Sequence, residues 1–175
     1  MSLFTCEVSA EAEFPGTPET VWQLLTDHDR YPQWHPVVVR VEGELAVGAR
    51  QTEVVRTASG RELTFHPVLT VVEPGRELSR AGRLLVPGLL DNKHSYLITD
   101  LGDGRVRVVQ SERFTGLLAA FFHGRTARDT QARFATALAN LAPLAAVGVT
   151  VTVAVASASD QAAPVAQPAA GCVAG

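Results

Sequence analysis

The chain has 175 residues, of which 46% are hydrophobic and 19% charged, and its formal net charge is −3. These values are ordinary for a globular protein with one sizeable core. The fifteen Lys and Arg residues are scattered, which argues against nucleic acid as a partner. The two cysteines, Cys6 and Cys172, form no CxxC pair. They predict no disulfide framework and no Cys-type zinc site and, with no export signal at the acidic N-terminus, favour a cytoplasmic location.

The first predicted elements are a strand and two short helices. Residues 3–14 alternate loosely between polar and apolar side chains, as a long strand does. Thr17 is a natural N-cap and Pro18 suits the first helical position, so a helix is expected from there to about Asp27. Residues 29–34 are expected to form one more short helical turn before the chain continues past Pro36.

From residue 37 the apolar period becomes two, which predicts six strands separated by short turns. Their expected ranges are 37–42, 50–57, 61–72, 78–86, 93–101 and 105–114. Residues 117–141 return to a helical period, with Phe134, Leu138 and Leu141 near one stripe. The prediction is an α+β fold, in which a seven-stranded antiparallel sheet curls around a long C-terminal helix.

A change of composition divides the chain near residue 145. Residues 1–145 are expected to form the folded domain, and residues 146–175, rich in Ala, Val and Pro, a disordered tail. An alternative is that the mostly apolar stretch 141–158 is a weak membrane anchor. Pro143, Gly148 and Thr150 within it, and the lack of a basic flank, argue against membrane contact through the tail.

Two polar residues of the last strand lie on the face that should be buried. Gln110 and Glu112 share their parity with Val106, Val108 and Phe114. A buried carboxylate is costly unless it is paired, neutralised or turned towards a water-filled cavity. The pattern therefore predicts a hollow interior and a ligand.

Neighbouring strands offer partners for these two residues. With Lys93 placed outside, His94 and Tyr96 fall on the inner face, and Arg80 shares an apolar parity that would let it point inward and pair with Glu112. A few fixed polar groups in an apolar pocket commonly orient a ligand. The alternative, a satisfied polar cluster inside a closed core, stays open.

Other motifs are weaker. His28, His35 and His123 lack zinc-type spacing, so no metal is expected. The chain has no GxSxG, GxGxxG or P-loop string, and no cofactor is expected. His66 shares a parity with Glu62 and is predicted to lie at the surface.

Four strings carry a family resemblance: FPGTPETVW at 14–22, DRYPQWHP at 29–36, VEPGREL at 72–78 and SERFTG at 111–116. Over about residues 3–144 the chain resembles the SRPBCC (START-like) superfamily, and most of all its polyketide cyclase/dehydrase and lipid-transport branch. The resemblance implies a helix-grip fold with a deep hydrophobic cavity between the sheet and the last helix. It also implies a small hydrophobic or amphipathic ligand, such as a polyketide, lipid or isoprenoid-like molecule.

The Glu-x-Phe string of that branch matches at Glu112 and Phe114, and its strand histidine matches at His94. Many relatives have an aromatic residue where this chain has Arg80, which makes this part of the expected pocket unusually polar. The expected ligand contacts are Tyr96, Gln110, Phe114, Phe65, Trp34, Leu84, Thr130 and Phe134. Among these, Trp34 is equally a candidate for helix-to-sheet packing.

Three functions are compatible with these residues, and ligand binding is favoured because fold alone does not license chemistry. The second is a cofactor-independent polyketide cyclase, aromatase or dehydratase, with Glu112 and His94 as acid-base groups and Arg80 or Tyr96 stabilising an enolate. The third is an accessory factor that docks to a protein or membrane. The sequence predicts no oligomeric state.

Overall fold

The computed structural model describes residues 5–84, 86, 88–122, 124–147 and 172–173. The strands are β1 Thr5–Pro15, β2 Val38–Glu42, β3 Thr52–Arg56, β4 Glu62–Phe65, β5 Val68–Glu73, β6 Glu77–Leu84, β7 Leu90–Gly102, β8 Arg105–Thr115 and β9 Cys172–Val173. The helices are α1 Pro18–Thr26, α2 Tyr31–Trp34 and α3 Arg125–Ala146, with 3-10 turns at His28–Arg30 and Leu117–Phe122.

The strands form two antiparallel sheets, whereas a single seven-stranded sheet was expected. The main sheet has the order β5-β6-β7-β8-β1-β9, and β2-β3-β4 form a smaller one. The strand predicted over 61–72 is broken at Pro67, which has no N–H to donate to a ladder. Its two halves belong to different sheets, and an isolated bridge between Arg50 and Val68 joins the sheets at this break.

Helix α1 begins where the sequence predicts, because two threonines cap it reciprocally. The Thr20 N–H donates to Thr17 Oγ1 at 3.2 Å, and the Thr17 N–H donates to Thr20 Oγ1 at 3.0 Å. Threonine thus takes the place that Glu or Gln occupies in most capping boxes. The box fixes the turn between β1 and the helices that cover one end of the sheet.

The core lies between α3 and the main sheet. Helix α3 buries Phe134, Ala137, Leu138 and Leu141 on one face. Against it lie the inward residues of β1 and β8, Val8, Ala10, Val106 and Val108, each at most 2% exposed. A long amphipathic helix on a curved antiparallel sheet is the arrangement expected of a helix-grip protein, and the α+β prediction is confirmed.

Cys6 is disulfide-bonded, which corrects the prediction of no disulfide framework. On the backbone, Cys6 of β1 pairs with Cys172 of β9, although 166 positions separate them in the sequence (172 − 6). The bond removes the cysteine-based reason for a reducing compartment. Most of the predicted tail, and of the alternative anchor at 141–158, lies outside the described residues. Within those that are described, no helix is long and apolar enough to cross a bilayer.

Candidate functional site

A cluster of polar side chains lies on the inner face of β6, β7 and β8. Strand register sets Arg80 beside His94, His94 beside Glu112, and Tyr96 beside Gln110. Arg80, His94, Tyr96 and Gln110 are all buried, with Gln110 at 0% exposure. We call Arg80, His94, Tyr96, Gln110 and Glu112 the polar cluster. Strand alternation places them on one face.

The charge of Arg80 is matched from the other sheet. Its Nη1 lies 3.0 Å from the Oε2 of Glu53 on β3, and the two side chains are only 6% and 14% exposed. Burial opposes the charged guanidinium, but Glu53 and the nearby tyrosine oxygens more than offset this, so the pKa of Arg80 is raised. The guanidinium carbon also lies 6.0 Å from the ring centroid of Tyr31. The ion pair joins the two sheets through the interior.

Glu112 has a different partner from the one expected. The Asn92 amide Nδ2 donates to Glu112 Oε1 at 2.7 Å, and no Arg80–Glu112 ion pair occurs in the described part of the chain. Burial raises the pKa of Glu112 to about 7, and the negative charge of Glu53 adds to the effect, while the Asn92 hydrogen bond and Arg80 partly offset it. The carboxyl is therefore close to half protonated at neutral pH.

His94 is held as a neutral imidazole. Arg80 Nε donates to His94 Nδ1 at 3.3 Å, so the ring proton belongs on Nε2. Burial, followed by the positive charge of Arg80 and by His35, keeps the pKa of His94 well below its ordinary value. His94 Nε2 lies 3.0 Å from the Gln110 side-chain amide. The ring proton needs an acceptor there, which Gln110 Oε1 supplies if the amide turns by 180°.

Three buried polar atoms have no hydrogen-bond partner among the residues that the structure describes: Trp34 Nε1, the Tyr96 hydroxyl and Gln110 Oε1. Turning the Gln110 amide exchanges its oxygen for its nitrogen but still leaves one of the two atoms unpartnered. The rings of Trp34 and Tyr96 lie 6.2 Å apart, edge to face. Gln110 lies opposite Tyr96 on the neighbouring strand, so the three atoms belong to neighbouring residues.

Aromatic rings pack around His94 and Tyr96. Phe134, which α3 supplies, lies 5.6 Å from the His94 ring, and the rings of His94 and Tyr96 are 4.8 Å apart. Trp34 is fixed from α3, because Asn140 Nδ2 donates to its carbonyl at 3.1 Å. Helix α3 therefore contacts Trp34 through Asn140 and the His94 ring through Phe134.

The remaining predicted contacts are less central. Phe114 is buried, at 6% exposure, and pairs on the backbone with Cys6 of β1 and with Asn92 of β7. Phe65 is 46% exposed on edge strand β4, and its predicted contact with a ligand stays a prediction. The Thr130 hydroxyl donates to the Thr126 carbonyl of its own helix at 2.9 Å. The side chain of Leu84 lies outside the described residues.

Sequence reasoning missed three members of the site. Asn92 shares the parity of His94 and Tyr96, so the same alternation would have selected it. Glu53 shares its parity with the partly buried Val55, which is only a weak indication that Glu53 points inward. His35 Nδ1 accepts from the Val38 N–H at 3.0 Å, and burial, with Arg80 adding, lowers the pKa of His35 to about 3. No sequence pattern marks His35.

The fold and this site define a helix-grip protein with a polar cluster on the inner face of its sheet. The family model "Polyketide cyclase / dehydrase and lipid transport" matches residues 5–146. The chain belongs to this family, and the resemblance to the SRPBCC superfamily is confirmed. No curated protein sequence matches the chain significantly.

Solved structures share the fold at low sequence identity. The di-domain ARO/CYC protein StfQ of the steffimycin biosynthetic pathway is 17% identical with a TM-score of 0.62, over 81% of this chain and 51% of StfQ. This chain thus spans about half of StfQ. A hypothetical protein of Helicobacter pylori is 18% identical with a TM-score of 0.65, over 79% of this chain and 87% of its own. A Thermus thermophilus protein is 16% identical with a TM-score of 0.64, over 82% and 99%.

Proposed function

We propose that the protein binds a small hydrophobic or amphipathic ligand, of polyketide, lipid or isoprenoid-like character, between the main sheet and α3. The observation that carries the proposal is the group of three unpartnered polar atoms around Tyr96. An unsatisfied buried polar atom costs about 1–3 kcal/mol. Three such atoms on the neighbouring residues Trp34, Tyr96 and Gln110 are therefore expected to share a partner. A ligand with a carbonyl or hydroxyl group would satisfy them together.

The roles follow from the chemistry of each atom. Trp34 Nε1 only donates, the Tyr96 hydroxyl donates or accepts, and the Gln110 amide presents its free end. Trp34 and Phe134 supply apolar surface for the body of the ligand. Arg80 is already neutralised by Glu53 at 3.0 Å, so the interior favours a ligand end that is polar but uncharged.

A neutral fluorescent probe, N-phenyl-1-naphthylamine, tests the proposal by titration. We expect saturable binding of one probe per chain, and displacement by any compound that native mass spectrometry finds co-purifying from the source organism. Tyr96→Phe removes one hydroxyl and should weaken binding of such a compound about three- to tenfold, as loss of one neutral hydrogen bond does.

Phe121→Ser is the matched control, because Phe121 is 73% exposed and is not part of the cluster. This variant should bind the probe as the parent protein does. If Phe121→Ser loses the probe while Tyr96→Phe binds both the probe and the co-purifying compound unchanged, binding occurs at the surface and the proposal fails.

One observation favours a second candidate, a cofactor-independent cyclase or dehydratase. Burial raises the pKa of Glu112 to about 7, which is the range that general acid-base catalysis uses at neutral pH. In this reaction Glu112 would move the proton, while His94, whose two ring nitrogens contact Arg80 and Gln110, would hold those two side chains in position. Glu112→Gln should then abolish turnover of the co-purifying compound without abolishing its binding. Unchanged turnover in Glu112→Gln and His94→Ala would exclude an acid-base role for both residues.

A further inference from the structure

A pocket lies at the surface, where the beginning of β2 meets the end of β3 beside α3. Its volume is about 200 Å³, the space of roughly seven liquid waters at ~30 Å³ each. It is lined by Pro36, Val37, Val39, Arg56, Thr57, Ala58 and Arg133. None of these residues belongs to the polar cluster, so the pocket is a separate site.

Strand irregularity shapes its floor. The register of β2 against β3 shifts between Val38 and Arg40, which leaves Val39 as the extra residue of a bulge. Bulges turn a side chain away from its regular direction, and here Val39 lines the pocket. The Arg56 N–H donates to the Val37 carbonyl at 2.7 Å, which holds the two sides of the floor together.

Two arginines line this pocket together with apolar side chains. Arg56 donates to Glu62 Oε1 at 2.8 Å through Nη2, a contact that leaves other guanidinium donors free. Arg133 is exposed on α3 and makes no ion pair with any described residue. Two positive charges and one negative charge leave the pocket with a net charge of about +1. The remaining lining is Pro36, Val37, Val39, Thr57 and Ala58.

We propose that this pocket binds a small aliphatic monocarboxylate. The valines and Pro36 pack against a short hydrocarbon tail, and Arg133 pairs with the carboxylate, aided by the free donors of Arg56. A net charge of about +1 suits a monoanion better than a doubly charged phosphate, and guanidinium groups bind a planar carboxylate through two parallel hydrogen bonds.

Hexanoate and 1-hexanol test this, because they share a tail length and differ in charge. In a ¹H–¹⁵N NMR titration of the full chain, hexanoate should give saturable shifts at the amides of Val37, Val39, Thr57 and Ala58. Its affinity should be at least tenfold higher than that of hexanol. Arg133→Gln should weaken hexanoate binding at least fivefold.

Arg128→Gln is the matched control, since Arg128 is an exposed arginine of the same helix that does not line the pocket. It should change the affinity less than twofold. Equal affinity for hexanol and hexanoate, or equal loss in both arginine variants, overturns the proposal. So do shifts centred on His94 and Tyr96, which would place hexanoate in the interior. Because the lining differs, this result does not depend on whether the interior binds its own ligand.

Discussion

The two tyrosines of the chain form a matched pair for testing whether the interior lacks a polar partner. Tyr31 and Tyr96 are both about 1% exposed. The Tyr31 hydroxyl donates to the Leu25 carbonyl at 3.0 Å, whereas the Tyr96 hydroxyl has no partner in the described part of the chain. Replacing either residue by Phe removes one oxygen and keeps the ring, so the two variants differ only in what that oxygen contacts.

The expected effects on the free energy of unfolding have opposite signs. Tyr31→Phe loses a hydrogen bond and should destabilise the ligand-free protein by about 0.5–1.5 kcal/mol. Tyr96→Phe removes a hydroxyl whose burial is uncompensated, and should leave stability unchanged or raise it by up to about 2 kcal/mol. For a chain of this length, 1 kcal/mol corresponds to about 2–4 °C in Tm.

Urea denaturation of ligand-free protein, followed by tryptophan fluorescence, measures both variants. The m-values should match that of the parent protein, so that the shift in midpoint reports stability alone. If Tyr96→Phe destabilises the protein as much as Tyr31→Phe does, the Tyr96 hydroxyl already has a partner in the ligand-free state. The reasoning that assigns it to a ligand would then be refuted.

Three further variants test the cluster and its loops. The folded-state pKa of Glu112, about 7, lies above its ordinary value of 4.5, so the free energy of unfolding falls as pH rises from 4.5 to 7. Relative to the parent protein, Glu112→Gln should therefore gain up to about 3 kcal/mol at pH 8 and nothing at pH 4. Arg80→Met leaves the mostly buried Glu53 carboxylate without its cation. Urea denaturation should then show that the free energy of unfolding falls by about 3–5 kcal/mol. Gly116→Ala should cost at least about 2 kcal/mol by thermal unfolding, since φ is +111° and a Cβ would lie 2.6 Å from the Gly88 carbonyl oxygen.

Each of these variants has a control. Glu7→Gln changes an exposed carboxylate on β1 and should show no such gain between pH 4 and pH 8. Arg83→Gln breaks the exposed Arg83–Asp91 pair and should cost less than about 1 kcal/mol. Gly104→Ala also places alanine at positive φ, +71°, but in open space, so it should cost less than Gly116→Ala. If a control variant changes stability as much as its test variant does, the explanation given for that test variant is contradicted.

The inner face of the cluster could be predicted from the sequence, whereas its contacts could not. A period of two on β8 placed Gln110 and Glu112 inward, and the same period on β7 selected His94 and Tyr96. The pairing of Arg80 with Glu53 could not be read in this way, because β3 and β6 belong to different sheets. Which strand lies across the interior depends on how the sheets curve, and no local pattern records it.

The sequence by itself determined the order of elements, the cap of α1, the amphipathic face of α3 and the family, because each of these depends on neighbouring residues or on short strings. Only the tertiary structure decided that the chain breaks into two sheets at Pro67, that Glu112 accepts from Asn92, and that three buried polar atoms of Trp34, Tyr96 and Gln110 have no partner among the described residues. The reason is physical: local periodicity sets which way a side chain points, but hydrogen bonds and ion pairs are made between atoms that folding brings together from distant parts of the chain.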